Sequence, residues 1–240
     1  MNDRPVFFVG DIQGCARELE LLLERAGFRK DAHRLIPVGD TINRGPDAPG
    51  VLDILDRARA EPILGNHERA LIAIHYSGDV PPWAESPRSA YAQLMAAGQW
   101  EAEIKRIAQW PLWRDGPDWI AVHAGLHPLR RPAHTHPVFL TEVRFCDEGG
   151  HLPEHVPKNT LDPPEGFKPW FDHYSGESTV IFGHWARRGL VRGEKTRGLD
   201  TGCVYGGRLT GLWWPDDTLV QVDALKNYRP VAGGEDEGVV

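Results

Sequence analysis

Short apolar runs, each closed by a glycine or histidine and a polar cluster, recur along the chain. Val6-Phe7-Phe8-Val9 ends in Gly10-Asp11-Ile12-Gln13-Gly14, and Leu35-Ile36-Pro37-Val38 ends in Gly39-Asp40-Thr41-Ile42-Asn43-Arg44-Gly45. Pro62-Ile63-Leu64 leads into Gly65-Asn66-His67-Glu68, Trp119–Val122 into His123-Ala124-Gly125, and Thr179–Phe182 into Gly183-His184. Runs of this length read as buried strands. Between them the apolar spacing becomes that of a helix. Leu19, Leu22, Leu23 and Ala26 fall at i, i+3, i+4 and i+7 before a stop at Gly27, and Val51, Ile54, Leu55 and Ala58 repeat the spacing. Ala70, Leu71 and Ile74 predict a third helix. A further helical stretch over about 88–109 is set off by Pro81-Pro82 and Pro111.

Strands alternating with helices predict an α/β fold, in which ligands gather outside the carboxyl ends of strands. Every polar cluster above sits at such an end. Residues 204–214 then alternate around Gly206-Gly207, 215–217 form a turn, and 218–222 alternate again, which predicts late antiparallel hairpins. One domain over 1–229 is expected. It carries a helical insertion at about 78–118 and a long Pro- and Gly-rich loop at about 147–172, and a disordered acidic tail follows over 230–240.

Composition narrows the class without naming a function. A hydrophobic content of 41% supports a sizeable core. A mean hydropathy of −0.41, with no apolar run near ~18 residues, argues against a membrane span. The first residues lack the apolar stretch of a signal peptide, so a cytoplasmic protein is expected, with no membrane partner. Cys15, Cys146 and Cys203 are too widely spaced for a zinc knuckle and read as reduced and non-ligating. A net charge of −7 argues against nucleic acid as a partner. A monomer or weak homodimer is expected.

With the strands side by side, Asp11, Gln13, Asp40, Asn66, His67, His123 and His184 converge. Such a mixed oxygen and nitrogen set suits Mn²⁺, Co²⁺, Fe²⁺ or Zn²⁺. One short carboxylate can bridge two cations about 3.5–4 Å apart. Each piece is ordinary alone: Gly-Asp after a strand is usually a turn, and a single His123 could be a core histidine. Five such clusters in order are not ordinary. By contrast, His151 and His155 have helical ligand spacing, but Pro153 and Pro157 break the helix. His134-Thr135-His136, between Pro132 and Pro137, reads as an exposed turn. Arg130-Arg131 and Arg187-Arg188 flank the histidine clusters, as solvated surface or as attractors of a polyphosphate.

Gly10-Asp11-x-Gln13-Gly14, Gly39-Asp40-x-x-Asn43-Arg44-Gly45, Gly65-Asn66-His67-Glu68, His123-Ala124-Gly125 and Gly183-His184 resemble the motif series of the calcineurin-like metallophosphoesterases, in the phosphoprotein-phosphatase branch. The second half is similar to the bacterial symmetrical dinucleoside tetraphosphatases. Val143-Arg144-Phe145-Cys146, Lys168–Phe171, Phe182–Ala186, Leu199–Cys203 and Tyr205-Gly206-Gly207 carry that likeness. The resemblance implies a four-layer α/β/β/α sandwich and two divalent metals, with Mn²⁺ first among Mn²⁺, Co²⁺, Fe²⁺, Zn²⁺ and Mg²⁺. Asp11, Gln13 and a bridging Asp40 would hold one metal; Asp40, Asn66, His123 and His184 would hold the other. It further implies a hydroxide between the metals as nucleophile, His67 as acid to the leaving group, and Arg44 and Arg144 on phosphate oxygens. The implied reaction cleaves diadenosine tetraphosphate, a small-molecule dinucleoside polyphosphate, symmetrically to two ADP.

Two positions depart from the pattern. Gln13 stands where His is usual, and Asn43 where the protein phosphatases commonly have Asp. Asn43 is expected to orient His67 by accepting its imidazole N–H. Two alternatives follow: a Ser/Thr phosphoprotein phosphatase or broad phosphomonoesterase, and a nucleotide-binding regulator with degenerate metal sites. Two divalent cations, together with Glu235, Asp236 and Glu237 of the tail, would account for the whole −7 balance.

Overall fold

Val6–Val9 forms β1, and its alternate side chains serve two different layers. Phe7 and Val9 pack toward the helices, while Val6 and Phe8 pack toward a second sheet. All four are buried, which explains a strand without polar alternation.

The computed structural model describes residues 4–156 and 160–229. After β1 come α1 (Ala16–Arg25), β2 (Arg34–Pro37), α2 (Ala48–Ala58), α3 (Asn66–Ser77), α4 (Ala90–Ala96) and α5 (Trp100–Ile107). Next are β3 (Trp113–Asp115), β4 (Trp119–Val122), α6 (Pro137–Glu142), β5 (Phe145–Cys146) and β6 (Lys168–Pro169). The chain continues with β7 (Thr179–Phe182), β8 (Val191–Arg192), β9 (Thr196–Gly198), β10 (Arg208–Trp214) and β11 (Thr218–Asp223).

The first sheet runs β11-β10-β1-β2 and the second β3-β4-β7-β9-β8, with β5 and β6 as a separate hairpin. β1 is parallel to β2 and antiparallel to β10, and β10 and β11 form the expected late hairpin. In the second sheet β4, β7 and β9 are parallel. Phe8, Ile36, Val38, Trp119, Ala121, Ile181 and Leu212 fill the space between the sheets. Burying a side chain such as Phe8 there contributes about 2–3 kcal/mol. Helices α1 to α5 cover the outer face of the first sheet. Phe139 and Leu140 of α6, with Trp170, cover Val122, Val180 and Phe182 on the outer face of the second. This is the four-layer arrangement, with a thin fourth layer.

The structure differs from the sequence reading in several places. The helical stretch at 88–109 is two helices, because Gly98 at φ +68° ends α4: its N–H bonds Met95 O (3.0 Å), and Gln99 N–H bonds Leu94 O (2.8 Å). Pro62–Leu64 is extended but joins no sheet. Pro62 has no N–H, and Ile63 and Leu64 reach Pro37 O and Pro111 O separately. The segment at 132–136 is not merely an exposed turn: Thr135 is buried, and His136 Nδ1 accepts the Val138 N–H (3.3 Å) to cap α6. The far end of the 147–172 stretch enters the core at Trp170. The acidic tail and Pro157 lie outside the described residues. Among the described residues, no helix is long and apolar enough to cross a membrane.

Candidate functional site

The ends of β1, β2, β4, β7 and β9 lie on one side of the two sheets and deliver Asp11, Asp40, His123, His184 and Asp200. The chain then turns sharply. Gln13, Asp40, Asn43, Arg44 and His184 all have positive φ, between 47° and 82°. Strain at non-glycine residues costs on the order of 1 kcal/mol each and tends to persist where function requires the geometry. Glycine clears the way at two places: a Cβ on Gly65 would collide with Asp40 Oδ1, and one on Gly183 with Asp11 Oδ1.

Glu68 builds the floor. This fully buried carboxylate accepts the N–H groups of Asp40 (2.9 Å) and Gly65 (2.8 Å) on Oε2. On Oε1 it accepts Thr41 N (2.9 Å), Thr41 Oγ1 (3.1 Å) and Ile42 N (3.2 Å). It therefore ties the Asp40 loop to the first turn of α3. That turn donates the His67 N–H to Asp40 Oδ1 (3.0 Å).

The imidazoles are oriented by backbone carbonyls. His123 Nδ1 donates to Val38 O (2.9 Å), and His184 Nε2 donates to Glu142 O (3.1 Å). A carbonyl only accepts, so the ring hydrogens lie on those nitrogens, and His123 Nε2 and His184 Nδ1 present lone pairs inward. Both face Asn66 Oδ1, at 3.0 and 3.2 Å, and His123 Nε2 is 3.3 Å from Asp40 Oδ1. Asp11 keeps a buried Oδ2 without a hydrogen-bond partner. Asp11, Asp40 and His123 offer ligand atoms all within 4.8 Å of one another. Acceptors converging on acceptors are costly unless a proton or a cation lies among them, and the set suits a divalent metal.

The electrostatics agree. Burial pushes the Asp40 carboxyl up to about 7, and burial with its neighbours Asp200 and Asp40 raises Asp11 well above the usual range. Asp200 is pushed up to about 6, chiefly by burial. Burial lowers His67, His123 and His184; the Arg44 charge adds to this at His67, and His123 and Arg144 add to it at His184. Crowded carboxyls and neutral imidazoles are what a cation would satisfy.

Gln13, Arg44, Arg144 and Asn43 lie around these groups. Gln13 directs Nε2 at Asp40 Oδ2 (3.5 Å). Arg44 donates to the Tyr205 hydroxyl (2.5 Å), 5.8 Å above that ring, and lies near enough to Asp40 and His67 to influence both. Arg144 stands beside His184. Asn43 contacts His67, with the polarity opposite to that expected: Asn43 Oδ1 accepts Ala90 N–H (3.1 Å), so Nδ2 faces His67 Nδ1 (2.9 Å) as donor. His151 instead pairs with Asp147 (2.9 Å) on the surface. Glu68, Asp200, Tyr205 and Gln93 belong to the site or its support but had no assigned role. Glu68 had a readable signal, the third helical position of a capping box. Asp200 closes the short run at Leu199, as the other clusters close theirs.

A buried acceptor cluster at the strand ends of a two-sheet sandwich is the arrangement expected of a metallophosphoesterase. The chain belongs to the calcineurin-like phosphoesterases, whose family model matches residues 4–188. Among curated relatives, it is 30% identical to the symmetrical bis(5′-nucleosyl)-tetraphosphatase of Janthinobacterium sp. (strain Marseille), over 93% of this chain and 98% of that protein. It is 31% identical to the enzyme of the same name from Coxiella burnetii (strain CbuK_Q154), over 87% and 88%. A crystal structure of a candidate diadenosine tetraphosphatase superposes with a TM-score of 0.75 at 31% identity, covering 92% of this chain and 94% of that one. A protein serine/threonine phosphatase from Saccharomyces cerevisiae shares the fold alone, with a TM-score of 0.52 at 16% identity.

Proposed function

We propose that this chain hydrolyses diadenosine tetraphosphate and related dinucleoside polyphosphates symmetrically, one substrate and one water giving two ADP. The reading places it in the cytoplasm as a monomer or weak homodimer. The convergence of His123 Nε2, His184 Nδ1, Asn66 Oδ1 and Asp40 Oδ1 carries the proposal. Near-full-length similarity to tetraphosphatases of that specificity supports it.

Asp11, Gln13 and Asp40 would hold one divalent cation, and Asp40, Asn66, His123 and His184 a second, Mn²⁺ being favoured. For Gln13 to serve, its amide turns over, so that Oε1 replaces Nε2 at the centre. Bound cations neutralise phosphate charge and acidify the attacking water. Arg44 and Arg144 hold phosphate oxygens through their planar forks. Tyr205 fixes where Arg44 points. His67 Nε2, buried and 3.5 Å from Asp40 Oδ2 without hydrogen-bond geometry, donates to the oxygen that leaves.

Chromatography of products from diadenosine tetraphosphate, with Mn²⁺, Co²⁺ and Mg²⁺ compared, tests this. ADP alone is expected. ATP plus AMP would refute symmetrical cleavage, and turnover of phosphoserine peptides in its place would favour a protein phosphatase.

A further inference from the structure

Asn43 is held between two groups of fixed polarity. It is buried, with φ at 82°, in the loop that also carries Arg44. The Ala90 N–H, at the first position of α4, can only donate, and it lies 3.1 Å from one amide atom of Asn43; that atom is Oδ1. The other atom, Nδ2, is 2.9 Å from His67 Nδ1. An amide nitrogen can only donate, so Nδ1 accepts, and the hydrogen of the neutral ring lies on Nε2. α4 is itself clamped to this loop: Gln93 Oε1 accepts Ala48 N–H (2.7 Å) and Gln93 Nε2 donates to Gly45 O (2.9 Å). Helix and loop therefore position the amide as one unit.

The leaving group gives this polarity a consequence. Cleaving a phosphoanhydride releases a terminal phosphate, an acid of pKa about 6, which departs without a proton. Cleaving an alkyl phosphate releases an alkoxide, whose conjugate acid is nearly as weak as water, with a pKa of about 16. A ring that carries only Nε2–H, with Nδ1 occupied by an amide donor, gives a hydrogen bond but is a poor proton source. We infer that α4, acting through the Ala90 N–H and Asn43, fixes His67 as the Nε2–H tautomer and so makes Asn43 a specificity-determining residue that favours phosphoanhydrides over alkyl phosphate esters. This rests on the activity proposed above and deepens it. Asn43 is a positioning residue; His67 is the group that touches the substrate.

Two measurements on the full chain loaded with diamagnetic Mg²⁺ test the inference. In ¹H–¹⁵N spectra of the imidazoles, His67 is expected as the Nε2–H tautomer. Asn43→Asp, which can only accept when ionised, is expected to place a hydrogen on Nδ1. The same variant is expected to shift the kcat/KM ratio toward a phosphoserine peptide and away from diadenosine tetraphosphate by at least about a hundredfold, the low end of what proton donation contributes. Ala90→Pro removes the fixing N–H and sets its ring against Asn43 Oδ1, so the amide loses the partner that fixes its polarity and must move from its place. Proline suits a first helical position, and Ser89 already has the extended backbone that precedes proline. Its His67 signal is expected to split between tautomers. A wild-type ring protonated on Nδ1, an unchanged ratio in Asn43→Asp, or an unchanged spectrum in Ala90→Pro would overturn the inference. A wild-type protein with the expected tautomer that leaves diadenosine tetraphosphate intact overturns the proposed activity instead.

Discussion

His123 Nε2 stands 3.0 Å from Asn66 Oδ1, and neither atom carries a hydrogen. Two lone pairs at that distance repel, and burial keeps water from relieving them. Divalent cations should therefore stabilise the fold as well as support catalysis. Mn²⁺ is expected to raise the melting temperature in a saturable manner. Asn66→Ala and His123→Ala should each weaken Mn²⁺ binding by at least about tenfold to a hundredfold in calorimetric titration. Unchanged affinity in both variants would remove these residues from the centre.

Glu68 presents the same logic in reverse, a buried acceptor with every partner a donor. Glu68→Gln replaces one oxygen by an NH₂ group and sets it against N–H groups of either Asp40 and Gly65 or Thr41 and Ile42. The expected loss is about 2–3 kcal/mol. It should appear as a lower urea midpoint at unchanged slope. Mn²⁺ affinity should fall with it, because the Asp40 loop loses its floor. Full stability with weakened metal binding would mean that Glu68 acts on the centre alone.

What could be read from the sequence follows from what is local. Val6–Val9, Trp119–Val122 and Thr179–Phe182 are legible because both faces of each strand are buried, and the residues that close them fall at strand ends by connectivity alone. Gly98 ended a helix by a backbone conformation that apolar periodicity does not register. The polarity of the Asn43–His67 contact was not legible, because it is decided by the Ala90 N–H, 47 residues away. Asn43 itself was legible as a neighbour of His67; which of them donates was not.

Arg34 and Glu61 tie β2 to the extended segment that leads into Asn66. Arg34 Nε and Nη2 donate to the two carboxylate oxygens at 2.8 and 2.7 Å, and Arg114 donates to the Glu61 carbonyl (2.9 Å). The hydrogen bond from Arg34 holds the Glu61 carboxyl below its usual value. A depressed folded value means that the unfolded chain takes up its proton first as pH falls. The stabilisation is thus present above about pH 4.5 and is lost as pH drops through the folded value. Glu61→Gln should cost about 1 kcal/mol at pH 7, discounted for partial exposure, and progressively less toward pH 3. Denaturation curves of the two proteins that stay equally separated down to pH 3 would exclude the pair as the source.

Tyr205 restrains Arg44 in two ways, by the hydroxyl that accepts from Nη1 and by the ring beneath the guanidinium. The contact spans 161 residues and joins the loop after β2 to the turn before β10. A guanidinium held in place loses less freedom on meeting a phosphate than a loose one. Tyr205→Phe keeps the ring and removes the acceptor. KM for diadenosine tetraphosphate should rise severalfold, with kcat changed less, because the loss falls on positioning a binding group. Tyr205→Ala removes both restraints and should raise KM further, while Arg44→Ala should cost more than either. If Tyr205→Phe lowered kcat and left KM alone, the hydroxyl would be acting on the transition state, and Arg44 would not be its route.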